Sequence, residues 1–159
     1  MQFVADQTLG RLARWLRVIG QDVTYGSELS GAGLIRAARR EGRLILTRDR
    51  RIVRKNPPAY LLIDDDHFRE QLRQVVEACG LDPLKDVFTR CVECNTPFEP
   101  KGKRDVEGKV PPYVFATQEK FSFCRKCQRI YCRPPISRRC CKSLSPWDWN
   151  HLEFEPPVW

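Results

Sequence analysis

Two sets of side chains in this 159-residue chain have the types and spacing to do chemistry. The first is acidic. Asp6 follows the apolar run QFVA, Asp49 follows LILT and Arg48, and Asp64, Asp65 and Asp66 follow YLLI. Carboxylates gathered in one cleft repel each other, and one would take up a proton unless a cation neutralised them. Mg²⁺ or Mn²⁺ suits such a place, because it accepts a few carboxylate oxygens together with water and substrate phosphate. An ion held there can activate a water and stabilise the charge that develops on a phosphodiester. Arg11, Arg14, Arg48, Arg50 and Arg51 are the candidates for holding a nucleic-acid backbone beside it. Each of these residues also has a plainer reading. Asp6 can cap the first helix, Asp64–Asp66 can be a solvated loop that caps the next one, and the arginines can be a solvated face.

The second set is sulfur. Cys91 and Cys94 form one CxxC, Cys124 and Cys127 another, with 29 residues between the pairs. Each CxxC turn presents two thiolates on one side, and two such turns complete a tetrahedron around zinc. With all four positions filled by cysteine no coordination site is left open, so the zinc is expected to be structural. A redox role for a single CxxC is the competing reading, and its usual setting is one motif beside a βα turn. Cys132, Cys140 and Cys141 follow the quartet as a second site, spare ligands or plain thiols. His67 and His151 lack ligand spacing.

These residues need elements to position them. Gln2–Ala5, Val23–Tyr25, Leu44–Thr47 and Tyr60–Ile63 read as short buried strands. Between them lie helical patterns. Leu9, Leu12, Ala13, Leu16 and Ile19 form one apolar face, with Thr8 as its cap and Gly20 as its stop. Arg11, Arg14 and Arg17 recur every third residue, off that stripe. Leu34–Glu41, a short Arg50–Lys55 turn and His67–Cys79 complete the set. Strand–helix alternation implies right-handed crossovers and a parallel sheet covered on both faces, a three-layer α/β domain over residues 1–88. In such sheets ligands gather outside the carboxyl ends of the strands, where the acids fall. DQTLGR follows the first strand in place of GxGxxG, which disfavours a nucleotide-cofactor oxidoreductase. Residues 89–131 carry the two CxxC pairs and four prolines, and short hairpins with no long helix are expected there.

Composition narrows the class. Hydrophobic residues make up 42% and charged residues 30%, the balance of a soluble globular chain. No apolar run reaches membrane-spanning length and no secretory leader is evident, so no membrane partner is expected. The net charge of +8 fits a polyanion partner. Clustered rather than scattered cysteines point to metal in a reducing compartment, hence a cytoplasmic location.

In order and spacing, FVADQTLGRLARWLRVIGQDVTY, AARREGRLILTRDRRI, DDDHFREQLRQVV, RCVECNTPF, VPPYV and FSFCRKCQRIY resemble the Mut-seven C-terminal RNase domain family, a PIN-like domain followed by a zinc ribbon. The resemblance covers residues 3–131. It implies a PIN-like fold and metal-dependent cleavage of RNA, single-stranded RNA being the expected partner. Asp6 matches the acid of the opening motif, Asp49 that of T-R-D, and Asp66, with Asp65 close behind, the acid before the third helix. Cys91, Cys94, Cys124 and Cys127 match the ribbon's ligands. Two departures stand out. Gly31 occupies a position where the family carries an acid, so the site is expected to be impaired, and a non-catalytic RNA-binding or complex-forming module is the alternative. After Tyr131 the family pattern gives way to a proline-interrupted tail, expected to be loosely ordered over residues 132–159, either divergent or shifted in reading frame.

Overall fold

A computed structural model describes residues 1–132. Four strands, β1 (Gln2–Ala5), β2 (Asp22–Tyr25), β3 (Leu44–Thr47) and β4 (Tyr60–Leu62), form a parallel sheet in the order β2-β1-β3-β4. The helices between them are α1 (Gly10–Val18), α2 (Gly31–Glu41) and α3 (Phe68–Cys79). Phe3, Val4 and Ala5 are all fully buried although successive side chains point to opposite faces, so helices cover both sides of β1. Leu34, Ile35, Ala37 and Ala38 of α2 pack on Val4 and Ile45. Trp15 of α1 stacks on Phe68 of α3 at 5.8 Å between ring centroids. The three-layer α/β architecture expected from the alternation is present. Residues Met1–Asn95 form one compact unit, and the first CxxC lies within it.

Two local expectations are corrected. Thr8 does not cap the first helix with its hydroxyl. The Asp6 carboxylate accepts the Thr8 N–H at 2.9 Å and caps a 3₁₀ turn over Gln7–Leu9, which runs into α1. Arg17 is not off the apolar stripe either. It is only 4% exposed, because backbone carbonyls from elsewhere in the chain receive its guanidinium.

The second unit begins at Thr96. It holds an antiparallel sheet in the order β5-β6-β7, from β5 (Glu99–Lys101), β6 (Phe121–Cys124) and β7 (Arg129–Cys132). The expected hairpin is β6–β7. A short helix, α4 (Pro112–Thr117), is an addition to the sequence reading; Pro112 opens it at a first-turn position, where a missing N–H costs nothing. Val106, Val110, Val114, Phe121, Ile130 and Cys132 make a small core. Cys140, Cys141, His151 and nearly all of the expected tail lie outside the described residues.

Candidate active site and metal centre

The parallel register carries the acids to one edge of the sheet. The Asp6 N–H donates to the Leu46 carbonyl at 2.9 Å, extending the β1–β3 pairing one residue past the strand. The Ile63 N–H donates to the Thr47 carbonyl at 2.8 Å and does the same for β4. Asp6, Asp49 and Asp64–Asp66 therefore leave the carboxyl ends of three adjacent strands.

Asp6 is buried, at 7% exposure. Its second oxygen accepts the Thr47 hydroxyl at 3.0 Å, and the same hydroxyl oxygen accepts the Asp49 N–H at 3.1 Å. Thr47 thus ties the two acids into one local structure, a part that no sequence pattern singled out. The Asp49 carboxylate faces solvent and receives Arg51 from its backbone N–H at 2.9 Å and its Nε at 2.8 Å. That pairing holds Asp49 below the usual carboxylate range. Asp65 lies below it as well, chiefly through the His67 N–H at 2.6 Å. Asp66 pairs with Arg48, and Asp64 reaches Arg50 at 3.4 Å. Buried Gln71 of α3 ties this loop down, donating to the Asp65 carbonyl at 2.8 Å.

The strand ends meet, but the carboxylates are not drawn into a single ligand set. Among the described residues, the one group of His, Cys, Asp or Glu side chains placed to hold a metal is the cysteine quartet. Arg48, Arg50 and Arg51 instead cover the acids. Arg14 pairs with Glu93, and Arg11 lies over the Phe68 ring at 3.9 Å. Beside the acids a cleft of about 360 Å³ is lined by Arg11, Arg48, Asp66, His67, Phe68 and Arg69 among others. Gly31 opens α2 at φ +49°, and a Cβ there would stand 3.6 Å from the Lys55 ammonium.

The sulfur atoms of Cys91, Cys94, Cys124 and Cys127 all lie within 4.8 Å of one another. A tetrahedron with Zn–S bonds of ~2.3 Å has edges of about 3.8 Å, so the quartet can close on such an ion. The two CxxC turns repeat one geometry. The Asn95 N–H donates to the Cys91 carbonyl at 2.9 Å and the Gln128 N–H to the Cys124 carbonyl at 2.8 Å. Asn95 and Gln128 both take left-handed φ values, 66° and 56°. Cys91 and Cys124 are buried, so the donor set is soft, compact and largely shielded. It can hold a structural metal such as zinc.

The family model described as the Mut7-C RNAse domain matches residues 1–139. The chain belongs to the Mut7-C RNase family. Searches of curated proteins and of solved structures returned no match. Membership gives the Mut7-C chain a nuclease-type function and points to RNA as its substrate or partner. The match extends past Tyr131, where the recognisable strings end. No helix among the described residues is long and apolar enough to cross a membrane.

Proposed function

We propose that the carboxyl edge of the parallel sheet is the active site of a metal-dependent endoribonuclease acting on single-stranded RNA. Asp6, Asp49 and Asp66 would hold Mg²⁺ or Mn²⁺, with Asp65 beside them. Carboxyl oxygens at three adjacent strand ends suit such an ion, which completes its shell with water and substrate phosphate and needs no full protein cage. When bound, it supplies a water of lowered pKa and charge neutralisation at the phosphodiester. The chain's own residues do the rest. Thr47 keeps Asp6 and Asp49 in register. Arg48, Arg50 and Arg51 cover the acids in the free protein and turn to the RNA phosphates as the acids take up the ion. Arg11 and Arg14 extend the phosphate-binding surface along α1. The cysteine quartet holds zinc that shapes the chain and takes no part in cleavage. Cysteines clustered in CxxC pairs suit a reducing, cytoplasmic setting.

The observation that carries this reading is the Thr47-bridged pair, Asp6 and Asp49, at adjacent strand ends of an RNase-family chain. One feature favours a second reading, a module that binds RNA without cutting it. Gly31 brings no carboxylate to the edge, and arginines pair with Asp66 and Asp49. Cleavage of a labelled single-stranded RNA with Mn²⁺ separates the two. Wild type is expected to cut, and Asp49→Asn to lose on the order of 10²-fold in kcat with RNA still bound. Binding without turnover by wild type would establish the second reading. Equal turnover by both proteins would remove Asp49 from the chemistry.

A further inference from the structure

Arg17 is a fully charged side chain in the interior, and its hydrogen-bond partners are neutral. Nε and one terminal nitrogen donate to the Val23 carbonyl at 3.1 and 2.9 Å. The other terminal nitrogen donates to the Val92 and Glu93 carbonyls at 2.8 and 2.7 Å. The Glu93 carboxylate turns elsewhere, to Arg14. A buried cation is costly unless opposite charge lies nearby, and three carbonyl dipoles supply only part of that. Val92 and Glu93 are the two residues between Cys91 and Cys94. Burial holds Arg17 below the ordinary guanidinium range, and the neighbouring Cys91 and Cys94 charges act against that. A zinc ion bound by four thiolates carries a net charge of −2, so a loaded centre provides the missing anion.

The same segment seals the sheet. β2 is an edge strand, and its outward Val23 N–H and C=O would otherwise be exposed pairing groups. Asn95 Oδ1 accepts the Val23 N–H at 3.2 Å, and Asn95 Nδ2 donates to Asp22 at 2.7 Å. Arg17 takes the Val23 carbonyl. One guanidinium therefore joins the first cysteine turn, α1 and β2.

We infer that Arg17 is a positioning residue of the four-cysteine centre: it fixes the two carbonyls between Cys91 and Cys94 against the edge of β2 and sets a permanent positive charge beside the thiolates. Zinc affinity then depends on a residue of α1 that ligates nothing. The inference rests on the quartet holding zinc and is independent of RNA cleavage.

The test is zinc affinity of the full chain, measured by competition with a chromophoric chelator, for wild type, Arg17→Lys and Arg17→Met. Lysine keeps the charge but loses the planar fork, and methionine keeps only the apolar stem. Arg17→Met is expected to bind zinc 10- to 100-fold more weakly, the range for losing a partner outside the ligand shell, with Arg17→Lys between it and wild type. Equal affinity in a folded Arg17→Met protein would overturn the inference. A wild-type chain that binds no zinc would instead overturn the assignment of the quartet. If Arg17→Met does not fold, the wild-type Arg17 Nε–H decides by NMR. It should exchange slowly in the zinc-loaded protein and rapidly after chelation, and unchanged exchange would contradict the inference.

Discussion

Asp49 and Arg51 show how a single pairing sets the charge state of the proposed site. Arg51 donates to the carboxylate from its side chain and its backbone, and both favour the ionised form. The charged form of Asp49 is accordingly the favoured one. Arg51→Gln removes the side-chain contribution and leaves the backbone N–H. The titration of Asp49, followed by carbon-detected NMR, is expected to move upward toward the ordinary value near 3.9. The sign matters: a lowered carboxylate pKa makes the charged form the stable one, and its contribution is lost as pH falls through that value. A titration that stayed put would mean that Arg51 does not govern Asp49.

At the scale of elements, much of the fold is legible from apolar periodicity. Ile45, Leu46 and Thr47 of LILT are buried because β3 is a central parallel strand, and Phe3, Val4 and Ala5 of QFVA for the same reason. The acids follow those runs directly, so their arrival at one edge is legible too. Their pairing is not. Which arginine meets Asp66 or Asp49 depends on loop paths that leave no periodic trace, and the same holds for the Thr47 hydroxyl between two acids. Arg17 is the sharpest case. Its three-residue spacing from Arg14 looks like a solvated face, but two of its three carbonyl partners lie 75 and 76 residues away in sequence. The end of α1 offers an element-level test. Gly20 sits at φ +84°, and a Cβ there would stand 2.2 Å from the Asp86 carbonyl oxygen. The Phe88 N–H donates to the Val18 carbonyl at 2.8 Å, fixing that segment against the helix end. Gly20→Ala therefore combines a left-handed backbone with a clash against main chain and should cost about 3 kcal/mol. Denaturant unfolding measures it, and a loss under about 1 kcal/mol would show that the segment yields easily.

At the scale of the molecule, the described residues give each of the two compact units a core of its own. The parallel sheet has a core on both faces. Among the described residues, the second unit shows a small core around Phe121 and Val106. Cys124 closes β6 and belongs to the four-cysteine group, so a metal held there ties the hairpin down directly. Zinc removal is expected to divide the chain's behaviour. With excess chelator, amide protection in β5, β6 and β7 should vanish, while the inner strands β1 and β3 keep theirs. Retained protection in the antiparallel strands would mean that the small core suffices.

The central claim is that Asp6, Asp49 and Asp66 share a hard cation when RNA is present. Anomalous scattering from crystals of the full chain soaked with Mn²⁺ and a non-cleavable RNA tests it most directly. The account predicts a manganese peak at the carboxyl edge of the parallel sheet, bonded to those carboxylates and to a phosphate oxygen, with Arg48 and Arg51 turned onto the RNA. RNA seated at that edge with no manganese there, and Arg48 and Arg51 still on the aspartates, would contradict it.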